Sequence, residues 1–181
     1  VGDREVTREL RVRKDPHSKG TVEDIEKQVA FGLDIREELN QVVTLINEIE
    51  WIRKEFEDLM TRLDETRDED QVASVIARAK RLNERVIEIE SNLFDVHLTG
   101  AREDAFRNPM KLYGRLRALG SDIMYNGADF APTQQQVEVY GELENRFEKT
   151  KESYNKFVEE RLIPFYQDIG RGQGETNFIE E

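Results

Sequence analysis

The feature that most constrains this chain is one helical pattern that runs from Thr21 to about Thr66 with no proline inside it. Ile35, Val42, Ile49, Phe56 and Leu63 recur every seven residues. Leu39, Ile46 and Met60 recur beside them, as do Leu45, Ile52 and Leu59, so from Val42 onward the apolar residues form one broad stripe. Its one glycine, Gly32, lies in an early turn. At about 1.5 Å per residue, such a run makes a rod of about 65 Å. An isolated helix is marginal in water, so the stripe needs partners of comparable length to bury it.

The following residues supply them. Asp68, with Gln71 three positions on, reads as the next N-cap. Val72, Ala79, Val86 and Leu93 then mark one heptad position and Val75, Leu82, Ile89 and Val96 the other. A strict seven-residue repeat implies left-handed supercoiling, and the short connection makes this helix antiparallel to the first. Thr99-Gly100 is the expected stop, with Ala101 to Arg107 as a connector. Asn108-Pro109 presents an N-cap followed by proline at the first helical position. Leu112, Leu116, Leu119 and Ile123 follow at helical spacing with Tyr113 and Met124 beside them, and Asn126-Gly127 closes this shorter helix. After a loop from Ala128 to Pro132, Thr133 and Gln136 make a capping box for a last helix carrying Val137, Tyr140, Leu143, Phe147, Tyr154, Phe157 and Val158. Pro164 is expected to kink or end it, with Phe165, Tyr166 and Ile169 adding a final turn before Gly170.

The beginning of the chain differs in kind. Val6, Leu10 and Val12 fall on one side of a period-two pattern, with Thr7, Glu9, Arg11 and Arg13 on the other, which predicts a β-strand. Its partners are missing from the sequence, so the strand reads as the last of a β-sandwich upstream. An unpaired edge also recruits a second copy of the chain, which makes a homodimer through this strand an expectation. The predicted fold is all-α: an elongated antiparallel bundle of three long helices and one shorter helix, preceded by an orphan β-strand. Residues 1–16 form the strand and linker, 17–170 the bundle, and 171–181 a loose tail.

Composition narrows the function. The formal net charge is −12, from 27 Lys and Arg against 39 Asp and Glu. Phosphate backbones are bound by basic surfaces that release counterions, so nucleic acid is not an expected partner. No run of 18 or more apolar residues exists, so no membrane insertion is expected. Without cysteine there is no disulfide, thiolate metal site or cysteine nucleophile. Val1 opens without an initiator methionine or signal sequence, so the chain reads as part of something longer.

Catalytic constellations find little material. A di-iron bundle needs Glu-x-x-His pairs, yet Lys14 and Phe94 stand three residues before His17 and His97. Asp95 and His97 are two apart, and such positions on a helix point away from each other, so His97 reads as a surface or helix-end residue. Glu37-Glu38, Asp68-Glu69-Asp70 and Glu159-Glu160 read as solvated faces, not as acid/base pairs. Gly-x-Gly-x-x-Gly, P-loop and Gly-x-Ser-x-Gly motifs are absent. Trp51, beside Ile52 and Phe56, reads as a boundary core residue. The aromatics of the last helix read as a core seam. A peptide groove at Leu112, Leu116, Tyr140 and Phe147 is the alternative, open if the short third helix leaves part of that face uncovered. No catalytic residue, metal or cofactor is expected.

Several stretches together resemble the C-terminal end of bacterial sortilin-like proteins, the BNR-repeat (Asp-box) β-propeller proteins described as glycosyl-hydrolase-like. The matching residues are Leu10-Arg11-Val12-Arg13-Lys14-Asp15-Pro16, the helix start Thr21-x-x-Asp24-x-x-x-Gln28-x-x-Phe31, Asn108-Pro109-Met110-Lys111-Leu112 with Leu116 and Leu119, and Asp129-x-x-Pro132-Thr133-Gln134. The residues past Pro164 depart from the pattern. The resemblance implies a helical accessory region of a secreted or surface-directed multidomain protein, with any glycan-directed activity in a propeller outside this chain. Its partners would be the remainder of the parent protein. No Asp-box residue has a counterpart here, so the resemblance transfers no catalytic residue.

Overall fold

The computed structural model describes residues 6–64, 69–97, 108–126 and 129–170. Thr21 opens α1 (Val22–Asp64) with a reciprocal cap: its hydroxyl accepts from the Asp24 amide at 3.0 Å, and its own amide donates to the Asp24 carboxylate at 2.8 Å. These bonds from Thr21 hold the Asp24 carboxyl below its ordinary range. The 43 residues of α1 form the spine of the molecule.

The helix α2 (Glu69–Leu93) returns along the C-terminal half of α1, where Arg53 meets Glu90 at 2.7 Å. It stops at Leu93, short of the expected Thr99-Gly100. The Asp95 carboxylate accepts the His97 amide at 3.0 Å, and this local turn competes with another helical turn. The third helix, α3 (Leu112–Ser121), begins at Leu112, not at Pro109, because Lys111 holds an extended backbone with φ −81° and ψ −176°. A π-helical turn, Asp122–Asn126, prolongs it. This shorter helix lies on the N-terminal half of α1: the Gln28 side-chain amide donates to the Ile123 carbonyl at 2.7 Å. The rings of Phe94 and Tyr113, 5.9 Å apart, join the end of α2 to the start of α3. Together α2 and α3 are successive pieces of a second rod that covers α1 along its length.

The third rod starts at the predicted capping box, where the Thr133 hydroxyl accepts from the Gln136 amide at 3.3 Å and the Gln136 side chain accepts from the Thr133 amide at 2.8 Å. Near its start, α4 (Gln134–Phe157) sets Tyr140 edge-on to Phe31, with ring centroids 5.3 Å apart. At its far end the chain passes through a second π turn, Val158–Leu162, into α5 (Ile163–Asp168). Pro164 therefore does not end the run. Proline has no N–H and crowds the carbonyl four residues back, and the wider π turn accommodates both. Gly170, with φ +78°, follows the end of α5. Phe165 packs on Phe56 with ring centroids 5.9 Å apart, so the third rod ascends in the same direction as α1. The arrangement is up, down, up, with antiparallel seams on both sides of the broken middle rod.

The heptads meet in one core: Val42, Ile49 and Phe56 from α1, Ala79, Val86 and Leu93 from α2, and Leu143, Phe147 and Phe157 from α4. Each large side chain so buried contributes about 1.5–3 kcal/mol over leaving it exposed. The strand expected over the first residues is not seen among the described ones. From Val6 to Lys14 the chain has no strand and is largely exposed, since a strand needs a ladder partner and the described residues offer none. The expected boundary at Thr66-Arg67, the Asp68 cap, the Thr99-Gly100 and Gly127 stops and the 171–181 tail lie outside the described residues.

Candidate interaction surfaces

The face expected beside the short helix is occupied by core. Leu112 and Leu116 of α3 are 1% and 0% exposed, and Phe147 of α4 is 2% exposed. Tyr140 is half-buried between Phe31 and Glu38. Glycines close this end of the bundle. A Cβ on Gly20 would overlap the Asp129 carbonyl, one on Gly32 would overlap the Met124 side chain, and one on Gly120 would stand 3.2 Å from the Ile35 Cγ2. Among the described residues, Asp129 thus sits against Gly20, and α3 with its π turn sits closely against α1.

Polar groups inside the bundle are paired across rods. Glu90 is 0% exposed; one carboxylate oxygen takes the Arg53 guanidinium at 2.7 Å and the other has no partner. Burial pushes its carboxyl up, and Arg53 pulls it part of the way back. Glu38, 6% exposed, lies beside the Tyr140 hydroxyl, and one of its carboxylate oxygens is buried without a hydrogen-bond partner. Burial pushes its carboxyl up too, helped by Glu144 and Glu148. Tyr154 lies beside Glu48, and Tyr166 donates to Glu55 at 2.5 Å. Burial lifts the Tyr140 and Tyr154 hydroxyls well above the ordinary tyrosine range. Three tyrosines of the third rod therefore face three glutamates of α1, Tyr166 with a hydrogen bond, along a seam that stays partly open, with shallow polar clefts of about 380 and 330 Å³.

A cleft of about 700 Å³ lies on the other side of the third rod, between α2 and the α4 to α5 junction. Arg78, Arg81 and Arg85 line one wall, Lys156 and Arg161 the other, and Glu160 is the one carboxylate among the lining residues. Five of its eleven lining residues are cationic, in a chain where 27 of 181 are. The signal was present in the sequence as arginines at i, i+3 and i+7 of α2, one helical face, but nothing there said which helix stands opposite.

The remaining candidates stand apart. Trp51, expected at the core boundary, is 55% exposed with the Lys54 ammonium 5.2 Å from its ring. It lies two residues past Ile49, about 200° round the helix, and so faces outward. His97 is exposed in the turn after α2, and His17 is exposed in the turn at Pro16. Glu37 is exposed but Glu38, expected on a solvated face, is buried because it points towards the third rod at Tyr140, and Glu159 and Glu160 are both exposed in the π turn. The side chains of Asp68, Glu69 and Asp70 lie outside the described residues. Among the described residues no group of three His, Asp or Glu is placed to hold a metal ion, and no helix is long and apolar enough to cross a membrane. In comparisons with known proteins, no family model, no curated sequence and no solved structure matches this chain.

Proposed function

We propose that this chain is a non-catalytic helical module, a stiff spacer and interaction region belonging to a larger, extracytoplasmic sortilin-like β-propeller protein. The observation that carries the reading is the use of polar groups between helices: Arg53 with Glu90 and Tyr166 with Glu55 each tie one rod to another, while Tyr140 and Tyr154 lie beside Glu38 and Glu48 of α1. Such pairs fix register and orientation between helices. Support for the parentage comes from the residues that carry the resemblance, several of which meet at one end of the bundle. Gln28 bonds the end of α3, Phe31 stacks on Tyr140, and the loop at Asp129 abuts Gly20. The exposed, alternating segment that holds Val6, Leu10 and Val12 leads into that end and suits attachment to an upstream domain.

A screen of the full chain against glycan, peptide and phosphate-ester substrates is expected to return background rates. Turnover lost on substituting a single acid would overturn the reading. For parentage, Asp-box repeats are expected in the coding sequence upstream of Val1. A helix- or peptide-binding role is the second reading, favoured by the basic cleft between α2 and α4 and not by the filled face at α3.

A further inference from the structure

We infer that the cleft between α2 and the α4 to α5 junction is a docking groove for an acidic amphipathic helix of a partner protein; this rests on the interaction-module reading. The groove has the sign opposite to the molecule around it. Arg78 pairs with Asp168 at 2.7 Å, Arg85 with Glu88 at 2.6 Å and Lys156 with Glu160 at 3.9 Å. Arg81 and Arg161 are exposed and have no carboxylate within 4 Å among the described residues. Five cations against these three carboxylates leave a local charge of about +2 inside a chain of −12. That balance selects the ligand. A dense polyanion meets the repulsion of the whole molecule at long range, whereas a segment with two or three carboxylates meets only the groove.

Shape and spacing favour a helix. The three arginines of α2 rise by about 4.5 and 6 Å along the axis, the spacing at which a second helix presents i, i+3 and i+7 glutamates. Arginine is also the cation best suited to interface carboxylates. Between the basic walls, Leu82 and Pro164 are half-buried over the buried Phe157 and Phe165, which gives an apolar seam for a leucine-bearing face. The groove between two antiparallel rods is where a fourth helix completes a bundle. The π turn at Val158–Leu162 places Glu160 and Arg161 at this wall.

The test uses the full chain and a fluorescently labelled helical peptide with glutamates at i, i+3 and i+7 and leucines on one face. Saturable binding is expected, weakening as salt rises. It should fall at least about tenfold, or about 1.4 kcal/mol, when Arg81→Glu and Arg161→Glu are combined, and by as much when the peptide glutamates become glutamine. Unchanged circular dichroism and melting temperature of the variant confirm that the fold is intact. Equal binding of the glutamine peptide, or no binding of either, overturns the inference while leaving the module reading to the substrate screen. Displacement of the peptide by lower concentrations of polyphosphate or an oligonucleotide overturns it in favour of a polyanion. A rise in peptide affinity on changing Glu175, Glu180 and Glu181 to glutamine assigns the groove to the chain's own segment. A wild-type dimer that becomes monomeric in Arg81→Glu assigns it to a second copy.

Discussion

At the scale of single residues, the buried carboxylates set how stability depends on pH. The Glu38 carboxyl is raised in the fold, so the folded chain binds this proton more readily than the unfolded chain does. Its contribution is fully favourable below the ordinary value of 4.5 and is lost as pH rises through the raised folded value. Glu38→Gln keeps an acceptor for Tyr140 and removes the desolvated charge. At pH 7 to 8 the variant is expected to melt higher than the wild type by about 1 kcal/mol of stability, a difference that vanishes near pH 4.5. A lower melting temperature across that range would show that Glu38 is stabilised by its surroundings. Arg53→Ala is the opposite case. It leaves Glu90 buried without its cation and is expected to cost about 3–5 kcal/mol in denaturant unfolding, while replacing both residues with methionine should be close to neutral. None of this was legible beforehand. Arg53 and Glu90 look like two of many charged residues on long helices, and only the crossing of α1 and α2 brings them together.

At the scale of elements, the caps and the heptads were legible because they are local. Thr21 with Asp24, Thr133 with Gln136, and the Val42, Ile49, Phe56 series are visible as spacings and recur as hydrogen bonds and as core. Ile46 lies in that core, so Ile46→Asp is expected to cost about 4 kcal/mol or more and to broaden or abolish the thermal transition. Helix ends were less legible, because non-local packing or a competing short bond decides them. Asp95 turns the chain after Leu93 although the heptad runs on to Val96, and the π turn takes the chain from α4 into α5 across Pro164. The orphan strand failed for a different reason: alternation is a condition for a strand, and a ladder partner is another. Two glycines near the start of the third rod differ in what surrounds them. Gly20→Ala must move the Asp129 backbone and is expected to cost about 1–3 kcal/mol. Gly141→Ala, in α4 with no atom within 4 Å of the added carbon, should instead gain about 0.5–1 kcal/mol. Equal melting temperatures for these two variants would mean that the close approach at Gly20 is dispensable.

At the scale of the whole molecule, the expected all-α packing is present as four helices packed together among the described residues, but the wiring was not legible. Seams alone do not show that α2 and α3 share one rod, nor that α1 and α4 point the same way. The same wiring hid the basic cleft, since its two walls are distant in the chain and become neighbours only when the third rod settles against α2. An unpaired rod count has a mechanical result. The helical body takes in the chain at Gly20, at one pole, and releases it at Gly170, towards the other. Any load applied through those two points pulls α1 and the third rod lengthwise past the middle one, so the interlocked side chains resist together as in a lap joint and do not peel open one at a time. In a force spectrometer the body should therefore yield at higher load when held at these poles than when pulled from α1 and the start of α2, which would part the same seam like a zip.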